Sequence, residues 1–105
     1  MDRRVVWTEA AWLDLEQVTG YIARDSPHYA ASFAREVRDA SRSLFRFAER
    51  GRCVPELDTP GIREIFVRSY RLLYSLSGET VHILGLIHGV RELGPIWRRE
   101  KRVDD

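Results

Sequence analysis

The sequence predicts an α+β domain in which an antiparallel helical hairpin packs on one face of a twisted antiparallel sheet, in the order β-α-α-β-β-β. Two amphipathic helical patterns occupy the first half of the chain. Three runs rich in β-branched and aromatic residues follow, at 65–67, 70–76 and 81–87. The short turns between these runs, at 68–69 and 77–80, are typical of two successive β-hairpins, and Gly78 suits the second turn.

The N-terminal part of the chain predicts a short strand and a first helix. Residues 3–7 are β-prone, and the following Thr8 is a good N-cap because its hydroxyl can accept from a free helical N–H. Glu9 would stand in the first turn, where the helix dipole favours a negative charge. Apolar residues then recur at helical spacing, which predicts a helix from about Glu9 to Arg24: they are Ala11, Leu15, Val18 and Ile22.

A second helix is predicted to begin at Ser26-Pro27, with serine as the N-cap and proline at the first helical position. One arc of its helical wheel is apolar and is expected to be buried: Phe33, Val37, Ala40, Leu44 and Ala48. The opposite arc is basic and is expected to be exposed: Arg35, Arg38, Arg42, Arg46 and Arg50. Gly51 would end the helix as a C′ residue. This basic arc could meet an acidic partner or DNA, but a solvated charged face is the ordinary interpretation.

The remaining segments are a loop, the hairpins and a tail. Residues 52–61 contain two prolines and the turn signal Asp58-Thr59-Pro60-Gly61, and so predict an ordered surface loop. After Leu93, Gly94-Pro95 breaks the pattern. We therefore expect a folded domain over residues 1–93 and a basic tail over 94–105.

Composition limits the function classes. A chain of 105 residues with 44% hydrophobic and 31% charged residues is expected to form a single globular domain without a membrane span or a secretory signal. The single Cys53 excludes an internal disulfide and favours a reducing compartment, hence the cytoplasm. No His, Cys, Asp and Glu grouping has metal-ligand spacing, so no metal or cofactor is expected. Lys101 is the only lysine among 17 basic residues, and the other 16 are arginines. This excess of arginine suits phosphate recognition or reflects codon usage.

Arginine at position 71 is unexpected in an apolar strand. Alternation along this strand places Tyr70, Leu72, Tyr74 and Leu76 on one face, and Arg71 with Leu73 and Ser75 on the other. Burying a guanidinium is costly unless it is paired. Arg71 is therefore expected either to open onto a wet surface or functional partner, or to pair with Glu64 or Glu92 and fix the sheet.

Several short motifs together resemble the RelE/ParE toxins of bacterial type II toxin–antitoxin systems. Residues 70–74 read Tyr-Arg-Leu-Leu-Tyr and residues 87–93 read Ile-His-Gly-Val-Arg-Glu-Leu. Two further stretches are similar as well. The first is residues 51–57, which begin with Gly-Arg and end with Val-Pro-Glu-Leu, and the second is the opening Val6-Trp7-Thr8. The resemblance covers about residues 5–93. It implies the same fold, a cytoplasmic toxin and a cognate antitoxin that wraps over the sheet and helices.

The resemblance also implies candidate site residues. Members that cut mRNA on the ribosome carry arginines at the positions of Arg71 and Arg91, where guanidiniums stabilise charge on the scissile phosphate. His88 could supply acid–base chemistry, or it could be a structural histidine at a strand end. Those members also use lysines where Ile62 and Glu64 stand here, and a tyrosine in the C-terminal segment. No tyrosine follows Tyr74 in this chain.

The residue pair Arg63-Glu64 is instead similar to the ParE branch, which is associated with poisoning DNA gyrase. Target- or antitoxin-binding roles are expected for four residues: Arg63, Arg68, Arg71 and Trp97. Three functions follow as hypotheses, namely a gyrase inhibitor, a metal-independent ribosome-dependent endoribonuclease, and a non-toxic binding module. The incomplete acid–base set favours the first. The sequence leaves the oligomeric state open.

Overall fold

The protein is described by a computed structural model, which covers residues 3–57, 59–91 and 93–100, with the side chain of residue 99 left out. The α+β class and the order of the main elements are confirmed, and two further elements are present, a short strand and a C-terminal helix. In chain order the elements are β1 (Arg4–Trp7), α1 (Glu9–Ala23), α2 (Pro27–Ser43), β2 (Arg52–Cys53), β3 (Ile62–Val67), β4 (Tyr70–Ser77), β5 (Thr80–His88) and α3 (Leu93–Glu100).

The sheet has five strands in the order β1-β5-β4-β3-β2. Strands β2 to β5 pair antiparallel, as predicted for the hairpins. The expectation of a wholly antiparallel sheet is wrong, because β1 runs parallel to β5, with Arg4 opposite Thr80 and Trp7 opposite Ile83. Alternation along a strand indicates which face is buried but not the direction of the neighbouring strand. The connection from β1 to β5 runs through both helices and strands β2 to β4, which is long enough for a parallel pair.

Both predicted helix starts are present. The Thr8 hydroxyl accepts from the Ala11 N–H at 3.2 Å, and the Ser26 hydroxyl accepts from the Tyr29 N–H at 3.0 Å. These bonds satisfy amide groups that the first turn of a helix leaves free. The two helices are joined by three residues and form the antiparallel hairpin that the short connection predicts.

Helix α2 ends at Ser43, earlier than predicted. The hydroxyls of Ser41 and Ser43 donate to the carbonyls of Arg38 and Ala40, which offers the backbone an alternative to the helical ladder. The Phe45 carbonyl, two residues after Ser43, accepts from the Arg3 N–H at 2.9 Å. This bond ties the turn after α2 to the N-terminal strand. The predicted apolar and basic faces are confirmed although the helix ends early, since every arginine of the basic arc is exposed.

Gly51 does not act as the helix C′ residue. It lies under Tyr74, whose hydroxyl accepts from the Gly51 N–H at 2.9 Å and donates to the Ala48 carbonyl at 2.8 Å. A Cβ at this position would lie 2.8 Å from the Glu64 carbonyl oxygen. Close approach of the sheet therefore explains the glycine.

The sheet carries apolar clusters on both faces. The first fills the space between the helical hairpin and the sheet and contains Phe33, Val37, Leu44, Leu72 and Tyr74 among others. The second lies on the opposite face, where α3 and the loop after β2 cover the sheet: Val54, Ile62, Leu73, Leu84, Ile87, Leu93, Ile96 and Trp97. The predicted alternation of β4 is confirmed, because Leu72 and Leu73 belong to different clusters. None of the described helices is long and apolar enough to cross a membrane.

Candidate functional site

An open cleft of about 680 Å³ lies where the C-terminal end of β5 meets α1 and α3. Its wall combines apolar side chains with seven polar ones: Asp14, Gln17, Tyr21, Tyr70, His88, Arg91 and Glu100. Two of the predicted site residues, His88 and Arg91, therefore share one cleft. Arg71 is not among its lining residues.

Strand pairing explains why the cleft is there. β1 covers the outer side of β5 only from Thr80 to Ile83, so the rest of β5 meets helix α1 instead. The Asp14 carboxylate accepts from the Leu86 N–H at 3.0 Å and satisfies a backbone donor that no strand reaches. His88 ends the strand just beyond this contact.

His88 is half-buried against an aromatic neighbour. Its Nδ1 accepts from the Val90 N–H at 3.3 Å, and its ring centroid lies 5.0 Å from that of Tyr70 in an edge-on arrangement. An accepting Nδ1 leaves the proton of a neutral imidazole on Nε2. Burial raises the pKa of the Tyr70 phenol, so that group stays protonated near neutral pH and can donate but not accept a proton.

Arg71 is buried in a cluster of charged side chains. It is 3% exposed, and its guanidinium donates to both Glu56 carboxylate oxygens at 2.9 and 2.6 Å. It also donates to Glu64 at 3.0 Å and to the Arg91 carbonyl at 3.3 Å. Glu64, whose side chain is fully buried, accepts from Arg52 at 2.7 Å. Two carboxylates thus balance two guanidiniums.

The charge cluster shifts the pKa of its more exposed carboxyl group, that of Glu56. The hydrogen bonds from Arg71 hold the pKa of the Glu56 carboxyl below its ordinary value, against the opposing effect of burial. Arg71 in turn has its pKa raised, first by the hydrogen bond to Glu56 and, less strongly, by that to Glu64. Arg71 Nε is the only buried side-chain nitrogen or oxygen without a hydrogen-bond partner in the part of the chain that the structure describes.

The expectation that Arg71 opens onto a wet surface is wrong, and the alternative of pairing with Glu64 is confirmed. Pairing with Glu92 lies outside the described residues. Glu56 was missed by sequence reasoning, because a loop carboxylate gives no periodic signal that aims it at a strand. A phosphate could reach the Arg71 guanidinium only by displacing Glu56, whose side chain is 37% exposed. The role of Arg71 in acting on a target stays a prediction.

The other predicted binding residues lie apart from the cleft. Arg63 donates to the Gly51 carbonyl at 2.8 Å. Arg68, in the β3–β4 turn, donates to Glu36 at 2.9 Å and lies 4.3 Å from the centroid of the Tyr29 ring. Trp97, on the buried side of α3, is only 6% exposed and packs against the sheet. Their binding roles remain predictions.

The described residues also constrain the chemistry of the site. Ile62 and Glu64, at which the resemblance implied lysines in RNA-cleaving members, are 2% and 1% exposed. Among the described residues, no group of three His, Cys, Asp or Glu side chains could hold a metal ion. The cleft can bind a partner through aromatic, apolar and charged contacts. For acid–base chemistry it offers His88 beside a protonated phenol.

Comparison with known proteins identifies the family. A family model described as the ParE toxin of the type II toxin–antitoxin system ParDE matches residues 5–93. The chain is 36% identical over 89 residues to Toxin RelE2 of Caulobacter vibrioides, an alignment that covers 84% of this chain and 97% of that protein.

Two solved structures are similar as well. A chain of the chromosomal ParDE system of P. aeruginosa superposes with a TM-score of 0.68 at 20% identity, covering 82% of this chain and 95% of that one, and this likeness shows the fold alone. A chain of the RelBE2 toxin–antitoxin complex of Mycobacterium tuberculosis gives a TM-score of 0.59 at 25% identity, with 84% and 99% covered.

Proposed function

The chain belongs to the ParE toxin family of type II toxin–antitoxin systems, and on this basis we propose that it is a cytoplasmic, non-nucleolytic growth inhibitor that acts on DNA gyrase. A cognate antitoxin, which relatives of this family have, neutralises it. Family membership leaves the target open. The observation that favours gyrase is that the Arg71 guanidinium is buried and already paired within the fold.

Ribosome-dependent cleavage needs a guanidinium free to stabilise the charge that develops on the phosphoryl oxygens. Here the Arg71 guanidinium donates to Glu56, Glu64 and the Arg91 carbonyl. Displacing Glu56 would remove the bidentate partner of a buried cation, which is a costly step. An inhibitor that works by binding needs no such rearrangement. The geometry therefore supports a target that is bound rather than cut.

The acid–base groups support the same choice. The described residues carry neither of the lysines nor the C-terminal tyrosine that RNA-cleaving relatives use, since Ile62 and Glu64 are buried at the lysine positions. The Tyr70 phenol, whose pKa burial raises, is a poor base. His88 alone would have to serve as acid and base in turn.

A second function, the ribosome-dependent endoribonuclease, is favoured by one observation. His88 and the exposed residue Arg91 line the same cleft, which thus offers an imidazole and a guanidinium. In this alternative Arg91 would take the role of phosphate ligand, and Arg71 would support the backbone of Arg91 through its carbonyl.

Two assays on the purified chain separate these functions. We expect inhibition of gyrase supercoiling of a relaxed plasmid, and no cleavage of a defined mRNA on programmed ribosomes. The Arg91→Ala and His88→Ala variants should abolish any ribosome-dependent cleavage if the alternative holds. In cells, induced expression should arrest growth with DNA damage preceding loss of mRNA integrity, and co-expression of the protein encoded by the neighbouring gene should restore growth.

Three outcomes would contradict the proposal. Cleavage of mRNA with gyrase unaffected would establish the alternative. Soluble expression without growth arrest would favour the non-toxic binding module. Failure of the neighbouring gene product to restore growth would remove the antitoxin assignment while leaving the target assignment intact.

A further inference from the structure

The turn that follows α2 gathers arginines from three parts of the chain. Because the helix ends at Ser43, the last two arginines of the basic arc lie in this turn rather than on the helix. A shallow cavity of about 410 Å³ opens there, and it is lined by Arg3, Arg46, Phe47, Ala48, Glu49 and Arg50. Arg63 of β3 reaches the same turn, since its guanidinium donates to the Gly51 carbonyl at 2.8 Å. This cavity and Arg63 together form the arginine cleft.

The guanidiniums of the arginine cleft lack ionic partners within the fold. None of the four forms a salt bridge with a described residue, unlike the guanidiniums of the charge cluster. Arg50 donates instead to the Ser43 hydroxyl at 2.6 Å, and Arg3 donates to the Gly78 carbonyl at 3.4 Å. Among the described residues, Glu49 is the only carboxylate that lines the cavity. Four cations therefore face one acid, and an anionic ligand would relieve their mutual repulsion.

The turn that carries these arginines is held to the sheet by Tyr74. The side chain of Tyr74 is fully buried, and its hydroxyl donates to the Ala48 carbonyl at 2.8 Å. The same hydroxyl accepts from the Gly51 N–H at 2.9 Å. These two bonds fix the backbone on both sides of Glu49 and Arg50. A ligand would not have to order the turn, which lowers the entropic cost of binding.

Phe47 adds an aromatic ring to the arginine cleft. It is 65% exposed, although the next residue, Ala48, is 1% exposed and belongs to the core between the hairpin and the sheet. A phenyl ring left in water gains free energy when it stacks on another flat ring. An inorganic phosphate or an acidic side chain would satisfy the guanidiniums but not this ring. A nucleotide satisfies both, because it carries a phosphate and a base.

The combination of ring and guanidiniums favours a single strand over a duplex. In a duplex each base is stacked and paired, so a ring on a protein surface reaches a base face only after the base has left the stack. In a single strand the base is free and a phosphate flanks it on either side. Basic grooves with exposed aromatic side chains are the usual means by which proteins bind single-stranded nucleic acid. A second copy of this chain would bring the same arginines together, which like-charge repulsion disfavours.

We propose that the arginine cleft binds a single strand of DNA, with one base stacked on Phe47 and the neighbouring phosphates held by Arg3, Arg46, Arg50 and Arg63. Strand binding follows from the chemistry of the cleft alone. The choice of DNA over RNA rests on the proposed function, because the gyrase that we assign as the target acts on DNA. The contact would hold the inhibitor at the DNA on which its target works.

The salt dependence of binding tests the phosphate contacts. The probe is a fluorescent thymidine DNA oligomer of about 12 nucleotides, followed by anisotropy with the purified full chain and without gyrase. A plot of log association constant against log salt should have a slope of about −2 to −3, because each phosphate contact to a single strand contributes about −0.7. Arg46→Ala should make this slope shallower by about 0.7. Arg24→Ala, which removes an exposed arginine outside the cleft, should leave the slope unchanged.

A second substitution tests the stacked base. Phe47→Ala should weaken binding by about tenfold, and it should not change the salt slope, because the ring carries no charge. Phe66→Ala is the matched control, since Phe66 is 51% exposed and does not line the cavity. It should change the affinity by less than about twofold. Thermal melts check that both variants fold, and if Phe47→Ala does not, the slope of Arg46→Ala still decides.

The remaining outcomes concern the ligand. Absence of binding at low salt overturns the inference, and so do equal slopes for Arg46→Ala and Arg24→Ala. Equally tight binding of polyglutamate, or tighter binding of a duplex of the same length, also overturns it. Tighter binding of a uridine RNA oligomer overturns the choice of DNA.

The inference and the proposed function can fail independently. A chain that binds the DNA oligomer but leaves gyrase supercoiling unaffected retains this inference and contradicts the proposed function. A chain that inhibits gyrase without binding the oligomer does the reverse.

Discussion

At the scale of single residues, removal of the Arg71 side chain should destabilise the fold, because Arg71 is a buried ionic partner of Glu64. Its loss would leave Glu64, which is fully buried, with Arg52 as its remaining ionic partner. Removing one partner of a buried pair typically costs about 3–5 kcal/mol. We expect Arg71→Ala to lower the free energy of unfolding by about that amount, as measured by urea denaturation. Arg52→Ala is the matched control, because the Arg52 side chain is 60% exposed and should contribute about 1 kcal/mol or less.

The pH dependence of a further variant, Glu56→Gln, checks the contribution of the charge cluster to stability. The pKa of Glu56 is lowered in the folded chain, chiefly by its hydrogen bonds to Arg71. A carboxyl with a lowered folded pKa stabilises the fold above its unfolded pKa, and that stabilisation is lost as the pH falls through the folded pKa. The stability gap between the unmodified chain and Glu56→Gln should therefore be largest near neutral pH and close in acid. A gap that is independent of pH, or equal midpoints for Arg71→Ala and Arg52→Ala, would show that the cluster contributes little.

The sequence predicted a side-chain pair correctly where both residues lie on adjacent strands of one hairpin. Arg71 and Glu64 lie on adjacent strands of one hairpin, so their pairing could be named as an alternative. Glu56 could not be named, because its position depends on how a loop of irregular backbone crosses the sheet. For the same reason the cleft that joins His88 to Arg91 follows from the arrangement of α1, β5 and α3, which no spacing along the chain encodes.

At the scale of elements, the buried arc of α2 should hold the helical hairpin to the sheet. Leu44 is fully buried at the end of this helix, although α2 stops one residue before it. Leu44→Ala should lower the free energy of unfolding by about 2–5 kcal/mol, from lost apolar burial and the cavity that remains. Arg42→Ala, two residues earlier and exposed, should change it by no more than about 0.5 kcal/mol. Equal denaturation midpoints for the two variants would mean that the faces of α2 are assigned wrongly.

The elements also show what periodicity can and cannot determine. Helical spacing predicted which side of α2 is buried, and that side continues through the turn as far as Ala48. It did not predict where the helix ends, because the hydroxyls of Ser41 and Ser43 and the bond from Arg3 to Phe45 decide that point. Alternation likewise predicted the faces of β4, but the parallel direction of β1 depends on the path of the chain through the helices.

At the scale of the whole molecule, the sheet is covered on both faces, and sequence reasoning foresaw only the cover provided by the hairpin. Gly94-Pro95 was interpreted as the end of the fold, yet proline is tolerated in the first turn of a helix and α3 runs from Leu93 to Glu100. Trp97 and Ile96 lie one after the other on its buried side. The expected domain boundary at residue 93 stays a prediction, and α3 is the element on which it depends.

Helix α3 should therefore be part of the cooperative fold. Trp97 is 6% exposed and packs on the second face of the sheet together with Leu93 and Ile96. Trp97→Ala should lower the free energy of unfolding by about 3–5 kcal/mol, whereas Trp12→Ala, at a position 53% exposed, should cost much less because little of its surface leaves water on folding. A chain that ends at Leu93 should lose at least as much stability as Trp97→Ala, since it also exposes the apolar face that α3 covers. If both changes leave the denaturation midpoint unaltered, α3 is not packed in solution, and residues 94–105 form a separate tail.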